Sequence, residues 1–165
     1  MSVLITVDPS STVFGYAAFD MDRHTPRLVQ CGLLLPDKGK LPALVRIDQL
    51  CIGLGQVIHR YNADGDSVEA VVEIMGTKQY TTKRERRSSL PLCALAMGRA
   101  WGVCVAELGY HVHPVDIAWT QGTTKALRQA HAAAEYSTLY DPAQDTGADA
   151  ADAICLGEYW IERRD

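Results

Sequence analysis

The sequence predicts an α/β fold, and three observations predict it. Short apolar runs bounded by turn formers open the chain. Apolar residues then recur at spacings of three and four, the signature of an amphipathic helix. Helical and strand patterns alternate from there onward, ending in two helices. With 165 residues and 47% hydrophobic content the chain can bury a real core, and residues 1–165 read as one domain without repeat, low-complexity tract or dividing linker.

Residues 3–7 form an apolar run that ends in Asp8-Pro9-Ser10-Ser11, a buried strand entering a turn. Residues 13–19, with Gly15 and several aromatics, read as a second strand, and 20–25 as a polar turn. Residues 27–35 are a third strand, stopped by Pro36-Asp37-Lys38-Gly39. These short connections predict an antiparallel meander. Leu44, Ile47, Leu50, Cys51, Leu54, Val57 and Ile58 then mark an amphipathic helix over 42–60. After the turn Asn62-Ala63-Asp64-Gly65-Asp66, residues 68–74 are a central strand, reached across a helix and so parallel to the first.

Residues 76–89 lack an apolar period. A second helix starts near Ser88 or Ser89, has Pro91 in its first turn and ends before Gly109. It is apolar on more than one side and carries Ala94, Ala96, Gly98, Ala100 and Gly102, so it is either deeply buried or packed on a partner subunit. Residues 111–119 read as a fifth strand, which Pro114 assigns to an edge or an irregular start. A third helix covers 123–135, a loop 136–146, and a last helix 149–162, with Asp149, Asp152, Leu156 and Trp160 on one face.

Composition bounds the function. No apolar run is read as reaching transmembrane length, and no signal peptide opens the sequence. Cys31, Cys51, Cys93, Cys104 and Cys155 are odd in number, scattered and without a C-x-x-C pair. They read as buried free thiols in a reducing, cytoplasmic compartment, and no zinc site is expected. A net charge of -4 and a pI of about 5.7 exclude a generic polycation. A local basic cluster remains: Lys78, Lys83, Arg84, Arg86 and Arg87 against the single acid Glu85. It reads as a solvated loop or as a polyanion contact. His111 and His113 alternate on one strand but lack a completing ligand, and read as structural. Gly53-Leu54-Gly55 lies within a helical pattern and makes no dinucleotide site.

The acids carry the chemistry. Asp8 ends the first strand, and Glu73 ends a neighbouring parallel strand, so both reach the sheet edge where α/β ligand sites lie. Asp149 and Asp152, three apart, project from one helix face. Singly, each has a plainer reading: a turn former, an exposed strand end, a favourable acid at a helix start. Together, four carboxylates without a Cys/His cluster predict Mg²⁺ or Mn²⁺. Two such ions about 3.5–4 Å apart would support phosphodiester hydrolysis.

These segments resemble the RuvC family of Holliday junction resolvases. Ile5-Thr6-Val7-Asp8-Pro9-Ser10-Ser11-Thr12-Val13-Phe14-Gly15-Tyr16 is similar to that family's opening strand and turn, with Ser10 replacing its usual glycine. Val72-Glu73, Gly98-Arg99-Ala100-Trp101-Gly102-Val103 and Ala148-Asp149-Ala150-Ala151-Asp152-Ala153 resemble its later motifs. The resemblance implies a ribonuclease H-like fold, a five-stranded mixed sheet flanked by helices. It also implies a homodimer that nicks four-way DNA junctions symmetrically. Asp8, Glu73, Asp149 and Asp152 would be the metal-binding acids, with Lys125 near the scissile phosphate. Lys78, Lys83, Arg84, Arg86, Arg87 and Arg99 would contact DNA phosphates, and Tyr80 would stack on a base. Two other readings share these motifs: a broader flap and branched-DNA nuclease, and a non-catalytic junction-binding protein. A nucleotide-binding domain of the actin and sugar-kinase type would need a second glycine-rich phosphate loop and a much longer chain.

Overall fold

In the computed structural model the described residues are 1–75, 90–120 and 122–164. The elements follow in order: β1 (Ser2–Pro9), β2 (Phe14–Asp20), β3 (Arg27–Leu34), α1 (Ala43–Ala63), β4 (Ser67–Ile74), α2 (Leu90–Leu108), β5 (Val112–Asp116), α3 (Lys125–Glu135) and α4 (Asp149–Ile161), with a 3-10 turn at Ile117–Thr120. The five strands form one mixed sheet in the order β3-β2-β1-β4-β5. β1 pairs antiparallel with β2 and parallel with β4, and β4 pairs parallel with β5. Both the expected meander and the expected parallel crossover are present.

β1 lies at the centre and is buried on both faces, which is why it reads as an unbroken apolar run. Alternation divides its side chains between two cores. Val3, Ile5 and Val7 join Ile47, Leu50, Leu54, Ala96 and Ala100 beneath α1 and α2. Leu4 joins Ala151, Ile154 and Leu156 beneath α4 on the opposite face. β5 is an edge strand, and its Pro114 stands opposite Val72.

Three expectations are corrected. The fifth strand stops at Asp116 rather than 119, because the Asp116 carboxylate accepts from the Ala118 N–H at 2.8 Å and turns the chain into the 3-10 segment. The cysteines are free, but only Cys104 and Cys155 are buried; Cys31, Cys51 and Cys93 are half-buried, Cys31 and Cys51 at the margins of the two cores and Cys93 at the acidic cavity described below. An apolar stretch does reach membrane-spanning length: Pro91–Leu108 on α2. Here it packs on α1, β1, β4 and β5 through Ala96, Ala100 and Cys104, as a core helix. Its outward side leaves Ala94, Gly98, Gly102, Val105 and Ala106 exposed.

Candidate metal centre

Strand parity and register bring the first two acids together. Val7 pairs with Val72 across the parallel β1–β4 ladder, so Asp8 and Glu73 follow one residue later on adjacent strands. Both turn to the face opposite Val7 and Val72, the face that α4 covers. Asp8 is 8% exposed and Glu73 4%.

The last helix supplies the other two. Asp149 and Asp152 lie in the first turn of α4. That turn reaches the sheet because Gly15, paired with Asp8 across β1–β2, has no side chain: a Cβ there would overlap the Asp149 carbonyl. The start of α4 is held in an unusual way. Its N-cap residue, Ala148, is left-handed at φ 61° and offers no side-chain cap. Asp145 does the capping instead, accepting from the Ala150 and Ala151 N–H groups at 3.2 and 3.0 Å and from the Tyr140 hydroxyl at 2.9 Å.

The four acids thus line one cavity of about 380 Å³, together with Lys125, Arg128 and Cys93. Lys125 Nζ donates to the Gly147 carbonyl at 2.8 Å and stands 3.6 Å from an Asp152 oxygen. Arg128 grips Asp152 with a fork, Nε at 2.6 Å and a terminal nitrogen at 3.1 Å, and its other terminal nitrogen donates to the Thr123 carbonyl and hydroxyl. The guanidinium lies 5.5 Å from the centre of the Trp119 ring, and the Trp119 indole N–H donates to Glu73 at 2.9 Å.

Charge repulsion is visible in the acids themselves. Burial pushes the Asp8 carboxyl well above the usual carboxylate range, reinforced by a hydrogen bond to Glu73 and by the charges of Glu73, Asp152 and Asp149. Burial also raises Asp149, against the opposing pull of Lys125. An all-carboxylate donor set whose repulsion Lys125 and Arg128 offset only in part fits a hard divalent cation such as Mg²⁺ or Mn²⁺.

Lys125 lies at the cavity with the four acids. Arg99 does not: it pairs with Asp48 across the α1–α2 contact. Lys78, Tyr80, Lys83, Arg84, Arg86 and Arg87 fall outside the described residues. His113 is structural, bonded to Glu69 at 2.8 Å and packed on Trp160, while His111 lies just before β5. Sequence reasoning missed Arg128, Trp119 and Asp145. Arg128 had one available signal, its place one helical turn after Lys125. Asp145 had another, an aspartate shortly before a helix.

The sheet order, the flanking helices and the acidic end define a ribonuclease H-like α/β protein. Solved structures share this fold. The chain is similar to Thermus thermophilus RuvC in complex with a Holliday junction substrate, with a TM-score of 0.62, 17% identity, and coverage of 97% of this chain and 95% of that one. It is similar to a second Thermus thermophilus RuvC structure, with a TM-score of 0.61, 16% identity and the same coverage. At such identity the likeness is one of fold. Neither the models of known protein families nor the curated protein sequences give a match.

Proposed function

We propose that this chain is a divalent-metal-dependent endonuclease that resolves four-way DNA junctions by paired nicks, acting as a homodimer. The observation that carries the reading is the convergence of Asp8, Glu73, Asp149 and Asp152 on one cavity at the end of the central strands. These acids would hold Mg²⁺ or Mn²⁺, which when bound supplies an activated water and neutralises charge on the departing oxygen. Lys125, exposed at the mouth of the site, would bind the scissile phosphate. Arg128 and Trp119 hold Asp152 and Glu73 in place. The basic residues Lys78, Lys83, Arg84, Arg86 and Arg87 would bind DNA phosphates, with Tyr80 stacking on a base, and Arg99 would join them if its pairing with Asp48 were exchanged for DNA.

Two further parts of the proposal rest on other residues. Ala94, Gly98, Gly102 and Ala106 form an exposed small-residue row on α2, with open space beside both glycines, which would let a second copy approach closely. Free thiols at all five cysteines suit a reducing compartment such as the cytoplasm. Residues 1–165 would act as one nuclease domain.

The deciding experiment is cleavage of a synthetic four-way junction with Mg²⁺, compared with a linear duplex of the same sequence and with Asp149→Asn. Symmetric paired nicks on the junction alone, lost in the variant, support the reading. Equal cutting of flaps, forks and junctions would replace it with a general debranching nuclease. Junction binding with no metal-dependent nicking would make the protein a binding module.

A further inference from the structure

Among the described residues, Asp152 is the one acid of the centre that already has a full cationic partner. Arg128 occupies both its oxygens, at 2.6 and 3.1 Å. The arginine is not a surface side chain that swings away: it is 7% exposed, fixed by Thr123 through a terminal nitrogen and laid against Trp119. Lys125 differs, with a side chain 60% exposed and 3.6 Å from the same carboxylate. Among the described residues, four carboxylates and these two side-chain cations share the cavity, so their formal excess is two negative charges, the charge of one divalent ion. A second ion would make the centre net positive.

We propose that Arg128 is a positioning residue that takes the place of one cation, so that the centre binds a single divalent ion of the Mg²⁺ class through Asp8, Glu73 and Asp149. This differs from the two ions that four free carboxylates would call for, and it rests on the metal-binding part of the nuclease reading. The guanidinium fork matters as well as the charge, because it engages both oxygens that Asp152 would otherwise offer to a second ion.

The test counts Mn²⁺ bound per chain by electron paramagnetic resonance, on the full chain without DNA at low salt. The wild type should bind one ion. Arg128→Gln should bind a second ion, or bind the first about ten-fold more tightly or better. Asp152→Asn added to Arg128→Gln should abolish that gain. Arg128→Lys, which keeps the charge but cannot engage both oxygens, should gain less than Arg128→Gln does. Thermal melting guards against a folding artefact: Arg128→Gln should melt lower than wild type in chelator and recover more on adding Mn²⁺. Two ions in the wild type, or one ion of unchanged affinity in Arg128→Gln, would overturn the inference while leaving the nuclease reading intact. One ion without any junction cleavage would do the reverse. No ion in either protein would remove both.

Discussion

The Thr6 hydroxyl donates a 2.6 Å hydrogen bond to the Ala153 carbonyl, joining the middle of β1 to the start of α4 across 147 residues of chain. Thr6 is fully buried, and Ala153 directly follows Asp152. The bond therefore sets the depth at which the acids of α4 meet Asp8, two residues farther along β1. Thr6→Val keeps the shape and removes the donor, leaving a buried carbonyl with one partner fewer. It should lower stability by about 1–2 kcal/mol, while Thr6→Ser should lose less. Thermal melts of the two variants check this; equal melting of Thr6→Val and wild type would mean the bond does not hold the helix.

The raised Asp8 carboxyl makes stability depend on pH. The folded state holds this proton more tightly than the unfolded chain does, so Asp8 favours folding at low pH. That contribution is lost as pH rises from the ordinary carboxylate range through the raised folded value. Melting temperature in chelator should fall as pH rises above the ordinary carboxylate range, and Mg²⁺ should reverse part of the fall. Asp8→Asn should flatten the profile and stabilise the metal-free protein by about 1–3 kcal/mol near neutral pH, at the expense of metal binding. A profile in Asp8→Asn identical to wild type would show that another group carries the dependence.

Gly15 is needed for contact rather than for backbone freedom. Gly15→Ala would drive a methyl group into the Asp149 carbonyl, and the obstacle is backbone that cannot rotate away. We expect a loss of about 1–3 kcal/mol and weaker Mn²⁺ binding as α4 is pushed off the sheet. Unchanged metal affinity would show that the helix start can shift without spreading the acids.

Ala148 holds a left-handed conformation that glycine adopts without strain. Ala148→Gly should therefore stabilise the protein by about 1 kcal/mol. Asp145→Ala should destabilise it by a similar amount or more, because two helix amides and the Tyr140 hydroxyl lose their acceptor together. Denaturant melts of the two variants, moving in opposite directions, are the readout.

Gly98 and Gly102 face open space on α2, so charge placed there leaves the core untouched. If the proposed dimer forms through this row, Gly98→Glu should halve the mass measured by light scattering while leaving the melting curve of the fold nearly unchanged. A wild-type protein that already runs as a monomer would show that this row is not the dimer contact.

The parts of the fold that obey local rules were legible. Residues 3–7 announced a buried strand, and the spacing from Leu44 to Ile58 announced α1, because each pattern is fixed within a few residues. The acids Asp8, Glu73, Asp149 and Asp152 were legible because strand ends and a single helix turn determine where they point. The Arg128 fork, the Trp119 bond to Glu73 and the Asp145 cap were not, because each depends on how α3, β5 and the 136–148 segment dock, which no local period encodes. The cysteines misled for a related reason. An apolar surrounding segment puts a thiol on an element, but only the neighbouring layer decides whether it is covered, as Cys104 is and Cys51 is not.

The position of α4 in the chain has a consequence for synthesis. A ribosome makes the whole sheet before it makes Asp149 and Asp152, and the sheet face that α4 covers stays open until the helix emerges. A growing chain therefore carries Asp8 and Glu73 with no means of completing the metal centre. Any premature stop ahead of residue 149 leaves a product with two acids of the four and a bare apolar sheet face, exposed to proteases.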